Sequence, residues 1–171
     1  RRALTERVVI VGAGLAGLSA GYALIERGCD VVLLEAHAAV ASEASFANGA
    51  ILTPSMCDPW NGPGVHRHLA KSLFDPHAAM KLRWTAMPSL LSWGSVFLRN
   101  STPARYSRAT RAAFLLADYS VRATRRLRGR LALEYGASVC GTMKLLRSRR
   151  AQEQGLALAR MLGELGLRHE V

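Results

Sequence analysis

The chain has 171 residues, with 23 Lys and Arg against 12 Asp and Glu for a net charge of +11, and half of it is hydrophobic while 20% is charged. That length bounds it to one domain or two incomplete ones, and ordinary apolar content with modest charge excludes collagen-like, coiled-coil, disulfide-scaffold and wholly disordered chains. Cys29, Cys57 and Cys140 are odd in number and widely spaced, so neither a disulfide framework nor a zinc site is suggested, and a reducing, cytoplasmic compartment is expected. The chain opens on Arg1 rather than Met and stops at Val171 just past a predicted helix end, so we expect a fragment of a longer protein.

Residues 8–25 are 18 positions without a charge behind Arg1, Arg2 and Arg7, superficially a signal peptide or a spanning helix. A helix there would start in the β-branched run Val8-Val9-Ile10-Val11 and absorb Gly12, Gly14, Gly17 and Gly21, each costing about 1 kcal/mol relative to Ala. Strand, turn and helix fit better. Residues 8–11 suit a parallel strand buried on both faces, Gly12-Ala13-Gly14-Leu15-Ala16-Gly17 fits G-x-G-x-x-G, and Leu15, Leu18, Tyr22 and Ile25 recur at helical spacing up to Gly28. Residues 29–34 form a second apolar run, and Glu35 closes it 18 residues after Gly17.

This strand–helix–strand unit points to dinucleotide binding. Gly12 permits the tight turn, Gly14 lets the backbone approach a pyrophosphate, and Gly17 lets the helix pack close to the strand. The helix N-terminus offers N–H groups and partial positive charge to the phosphates. Glu35, with Ala36 beside it, is placed to accept hydrogen bonds from the adenosine ribose, and an acid there repels the 2′-phosphate of NADP. By itself the unit leaves FAD and NAD open.

After Glu35, an NAD enzyme would have a short connection and another helix. Instead, small residues at 45–50 lead into a turn-rich segment with Pro54, Pro59 and Pro63, which suits close approach to a flat ring or a phosphate, or a plain surface loop. Ser45-Phe46-Ala47-Asn48-Gly49, then Thr53-Pro54, Pro59-Trp60 and Pro63-Gly64, resembles the flavin-side loop of bacterial D-amino-acid dehydrogenases, within the FAD-dependent D-amino-acid oxidase superfamily. The resemblance runs on through Phe74-Asp75-Pro76-His77, Phe97-Leu98-Arg99-Asn100, Tyr119-Ser120, Tyr135 and Gly141-Thr142, which opens Met143-Lys144-Leu145-Leu146-Arg147. Ala50 and Ile51 depart from it, standing where relatives often have Gly and Gln, so no flavin contact is carried over to them.

The resemblance implies an α/β fold, a Rossmann-like FAD-binding βαβ unit within residues 1–57, followed over 58–171 by part of an α+β substrate domain. Within the latter, residues 66–130 read as helical pieces bounded by Pro76, Pro88 and Pro103, 138–146 as a strand, and 151–165 as a helix with Leu158, Leu162 and Leu165 inward and Gly166 as a C-cap. It implies a flavoprotein oxidoreductase of D-amino acid catabolism, with FAD as cofactor. Hydride transfer from Cα to flavin N5 would give an imino acid, then a 2-oxo acid and ammonia, with electrons passing to a quinone or other acceptor. The cofactor-binding residues are expected to be Gly12, Ala13, Gly14, Leu15, Ala16, Gly17, Glu35, Ala36, Ser45, Asn48 and Gly49. The arginine for the substrate carboxylate is expected outside this chain, so no catalytic residue is named. Alternatives are another amine-oxidising flavoprotein, such as a glycine or sarcosine oxidase, or a non-catalytic dinucleotide-binding module.

The charge is uneven: residues 1–98 carry 8 basic and 7 acidic side chains, and 99–171 carry 15 and 5, so the halves stand at +1 and +10. Between 105 and 130, helical spacing gathers Arg105, Arg108, Arg111, Arg122, Arg125, Arg126 and Arg130 on one half of a wheel, opposite Tyr106, Ala109, Ala113, Phe114, Leu116, Ala117, Val121 and Leu127. A solvated helix face is the plain reading, and peripheral association with the inner face of the cell membrane the sharper one. Nucleic acid is not expected, because no aromatic platform is interleaved with the arginines. His66-x-His68 lacks a third ligand, so no metal site is expected. Trp60, Trp84 and Trp93 are read as core or interdomain packing, and Cys57 as an inert thiol.

Overall fold

The computed structural model describes residues 6–72, 85 and 87–170, in two compact units, Arg1–Ile51 and Leu52–Val171. The first unit is strand β1 (Arg7–Val11), helix α1 (Leu15–Ile25) and strand β2 (Asp30–Leu34). β1 and β2 pair in parallel, from Arg7 opposite Asp30 to Val11 opposite Leu34. The Gly12 N–H extends the ladder by donating to the Leu34 carbonyl at 2.7 Å, and an exposed Arg7–Asp30 pair closes the other end.

Side chains alternate across the strands, and α1 covers one face of the pair. A Cβ on Gly21 would lie 3.5–3.7 Å from Ile10, Val31 and Leu33, ordinary van der Waals distance. The helix therefore sits on the sheet through Gly17 and Gly21, while Leu15 and Ile25, grouped by spacing with Leu18 and Tyr22, are exposed. Glycines permit the closest backbone approach, so they and not the larger residues set the packing face. The opposite face of the pair carries Val9 at 55%, Val11 at 84% and Leu34 at 52% exposure.

The second unit is helical. A 3-10 turn (Pro54–Met56) precedes α2 (Val65–Ser72), α3 (Met87–Arg99), α4 (Pro103–Leu131) and α5 (Arg149–Gly163). Pro103 opens α4, where its missing N–H costs nothing, and Pro88 lies in the first turn of α3 rather than at a break. Pro76, with the rest of Phe74-Asp75-Pro76-His77, and Trp84 lie outside the described residues. The core of this unit is built on α4: Thr110 and Phe114 are buried, as are Leu162 of α5 and Val65 of α2. The Thr110 hydroxyl donates to the Tyr106 carbonyl at 2.8 Å, which satisfies it within the helix. α5 meets α4 through Ser107 with Met161 and through an Arg111–Glu164 ion pair at 2.8 Å. The 3-10 turn is held by a triangle of hydroxyls, Thr53, Ser55 and Thr142, and by Lys144 Nζ donating to the Ser55 carbonyl at 2.8 Å.

Several expectations need correction. Residues 138–146 run exposed without forming a strand, because no second strand pairs with them among the described residues. Along α4, Thr110 and Phe114 set the inward direction, which turns Ala109 and Leu116 outward and half-buries Arg111 against α5. The outer face thus carries Leu115, Leu116 and Tyr119, at 55, 67 and 57% exposure, between Arg105 and Arg108 at one end and Arg122, Arg126 and Arg130 at the other. Trp60 and Trp93 are exposed rather than packed in a core, Trp93 stacking on Phe97 at 4.9 Å. His66 and His68 lie on α2, where a spacing of two turns them to different sides.

Candidate dinucleotide site at the glycine turn

The site residues picked out in the sequence all fall in the first unit, and its local geometry explains most of them. Gly12 has φ +94°, a left-handed conformation that side-chain-bearing residues avoid. A Cβ at Gly17 would stand 1.9 Å from the Gly12 carbonyl oxygen, inside any contact distance, so the turn folds back on α1 only because that atom is missing. Gly14 is the N-cap of α1, without a side-chain cap, and the first turn holds no acidic residue. The first N–H groups of a helix have no partners within it and carry partial positive charge. Of these, the Leu15 N–H donates to Ser45 Oγ at 3.0 Å.

Ala13 is buried and its backbone is used twice: the N–H donates to Glu35 Oε2 at 2.8 Å, and the carbonyl accepts from the Ala41 N–H at 3.0 Å. The other oxygen of Glu35, Oε1, accepts from the His37 N–H at 3.0 Å. The Ala13 and His37 N–H groups hold the Glu35 carboxyl below the usual glutamate range. Residues 36–50 therefore form a strap over the turn, tied at Glu35, Ala41 and Ser45. Within the strap, His37 Nε2 lies 3.0 Å from Glu43 Oε1, and Asn48 Oδ1 accepts from the Ala50 N–H at 2.7 Å. Ala50 has φ +49°, a left-handed turn position in which glycine is the less strained residue.

The structure thus brings Gly12, Ala13, Gly14, Leu15, Gly17, Glu35 and Ser45 together, with Ala16 exposed on the first turn of α1. Ala36, Asn48 and Gly49 are exposed strap positions, and Asn48 shapes its own turn rather than reaching the glycines. Sequence reading missed the anchoring role of Ala41 and the link between His37 and Glu43. Neither leaves a signature, since one acts through its backbone N–H and the other pair is six residues apart in an irregular loop. The residues present fit a dinucleotide diphosphate: the first turn of α1 carries no acidic residue, and a Cβ on Gly14 would meet only Ser45 Oγ, at 3.3 Å, so the space beside the turn depends on that glycine.

Outside this unit, Tyr106 and Cys57 sit half-buried beside Asp58. Burial pushes both groups above their ordinary pKa, so the thiol stays protonated. Among the described residues, no helix is long and apolar enough to cross a membrane.

The chain is 33% identical over 165 residues to the D-amino acid dehydrogenase of Rhizobium johnstonii, covering 96% of this chain and 40% of that protein. The D-amino acid dehydrogenases of Phenylobacterium zucineum and Rhizobium rhizogenes are also 33% identical, each over 96% of this chain and over 39% and 40% of their own lengths. The chain thus spans about 40% of the length of these curated relatives. No solved structure matches it. The model of the FAD dependent oxidoreductases matches residues 7–171, from the first residue of β1 to the end of the chain, and by that match the chain belongs to this family.

Proposed function

We propose that the protein carrying this chain is an FAD-dependent dehydrogenase of D-amino acids, with residues 1–57 contributing to a Rossmann-like FAD-binding domain and 58–171 to the substrate domain. The observation that carries the cofactor half of this reading is the glycine turn, where a helix whose N-cap is Gly14 and whose first turn holds no acidic residue meets a Glu at the end of the second strand. The chemistry that FAD supplies when bound is acceptance, at N5, of a hydride from Cα, leaving an imino acid that water converts to a 2-oxo acid and ammonia. The chain's own part is binding and orientation. The N–H groups of the first turn of α1 beyond Leu15, whose own N–H is taken by Ser45, would receive the diphosphate, and Glu35 keeps a lone pair on each oxygen for ribose hydroxyls after accepting from Ala13 and His37. The substrate class rests on the relatives' names, and an electron acceptor such as a quinone completes the reaction. Peripheral membrane binding is supported by the outer face of α4, where exposed Leu115, Leu116 and Tyr119 lie between arginines.

The test is purification of the whole protein with its flavin, beside a Gly14→Val variant. The parent is expected to be yellow and to reduce an artificial dye with D-amino acids but not with their L-enantiomers. The variant, whose side chain fills the approach to the helix end, is expected to keep its circular dichroism and lose the flavin. A colourless parent, or a variant with normal flavin, overturns the assignment.

A further inference from the structure

Glu35 is used by the protein before any ligand is considered. Its two oxygens accept from two backbone N–H groups, Ala13 in the glycine turn at 2.8 Å and His37 at the start of the strap at 3.0 Å. Ala13 is buried, so an N–H there without an acceptor would carry the full desolvation cost. The same residue's carbonyl holds Ala41, and the Leu15 N–H two positions on holds Ser45. The turn that must present its N–H groups to a diphosphate is therefore fixed by three ties to the strap region, and Glu35 makes the one that is charge-assisted.

We propose that Glu35 is a positioning residue for the glycine turn, fixing its N–H groups in the geometry that receives a diphosphate, independently of any contact with the ribose. This deepens the FAD reading above and rests on it for the identity of the ligand, though not for the clasp itself. A ribose contact alone would make Glu35 matter only to ligands that carry the hydroxyls. A clasp makes it matter to every ligand whose diphosphate enters the turn, and to the turn when nothing is bound.

The experiment is a cycle on the whole protein, prepared flavin-free. Parent, Glu35→Ala and Glu35→Gln are titrated with FAD and with an FAD analogue whose adenosine is 2′,3′-dideoxy, and amide hydrogen exchange at Ala13 and His37 is read without ligand. The expected result is that Glu35→Ala weakens the dideoxy analogue by about tenfold or more, the scale of one lost charge-assisted hydrogen bond, and that Ala13 exchanges faster while the helical circular dichroism holds. Gln keeps one acceptor oxygen, so Glu35→Gln is expected to protect one of the two amides and to fall between parent and Ala in affinity. Equal affinity of parent and Glu35→Ala for the analogue, or unchanged exchange at Ala13, overturns the proposal. If no flavin binds the parent at all, the FAD reading fails, and the exchange measurement still decides the clasp.

Discussion

Gly14 and Gly17 stand in the same turn and are held by different constraints. At Gly17 an added Cβ would meet the Gly12 carbonyl at 1.9 Å, and backbone cannot swing aside as a side chain can. Gly17→Ala gains about 1 kcal/mol of helix propensity but forces the turn apart, so we expect a net loss of about 3 kcal/mol, read as a lower urea midpoint. Gly14→Ala meets only a serine hydroxyl at 3.3 Å, so the folded state should tolerate it while flavin affinity falls. A Gly14→Ala variant as unstable as Gly17→Ala would contradict this division. The acid at the end of β2 gives a pH signature. Hydrogen bonds from Ala13 and His37 lower the folded-state pKa of Glu35 below its ordinary 4.5, so its contribution is complete above that value and is lost as pH falls through the folded-state value. The thermal midpoint of the parent should therefore drop more than that of Glu35→Gln as the pH is taken below about 4.5; parallel curves would remove the linkage. The glycines and Glu35 were legible in the sequence because glycine and a lone acid after an apolar run are rare signals. Ala13 and Ala41 were not, since their roles are carried by main-chain groups that every residue shares.

The strand–helix–strand unit came through sequence reading because each of its elements has its own signal: a β-branched run, a glycine turn, helical spacing. The segment 138–146 has no partner strand among the described residues, and a strand exists only as one side of a ladder. The orientation of α4 was misjudged for another reason. Its hydrophobic pattern is diluted by small residues, and Thr110, polar in the sequence, turns out buried because its hydroxyl is satisfied by the carbonyl four residues back. At its C-terminal end, Ala132 caps the helix at φ +49°, where a Cβ costs about 1 kcal/mol. Ala132→Gly is thus expected to raise stability by up to about 1 kcal/mol, less the entropy glycine adds to the unfolded chain; a lower thermal midpoint would show that the cap is not strained. The outer face of α4 invites a separate measurement. Exposed arginines each contribute about 1 kcal/mol near an anionic surface, so the whole protein should sediment with phosphatidylglycerol vesicles at low salt and release as salt rises. Changing Arg108, Arg122 and Arg126 to Gln should abolish this, and equal sedimentation of parent and variant would leave the face as solvated surface.

Taken as a whole, the chain leaves much apolar surface uncovered: one face of the two-stranded sheet, and Leu115, Leu116 and Tyr119 on α4. A two-stranded sheet by itself is marginal, and here α1 covers only one of its faces, leaving Val9, Val11 and Leu34 exposed on the other. We expect residues 1–171 expressed by themselves to bind a hydrophobic dye and to unfold without a sharp transition, and a cooperative calorimetric peak would refute this. The two units also differ in how far apart in sequence their partners lie. The ties that build the glycine site join residues 22, 28 and 30 positions apart, Ala13 with Glu35, Ala13 with Ala41, and Leu15 with Ser45. In the second unit, the bonds to α5 span 53 and 54 positions, and those holding the 3-10 turn span 87 to 89. Each doubling of a closed loop adds about 0.6 kcal/mol of entropic cost, and shorter closures are made sooner. The glycine turn, its acid and its strap thus form the part of the chain that can assemble first, so that in refolding, protection of the Ala13 amide would precede burial of Phe114 and Leu162.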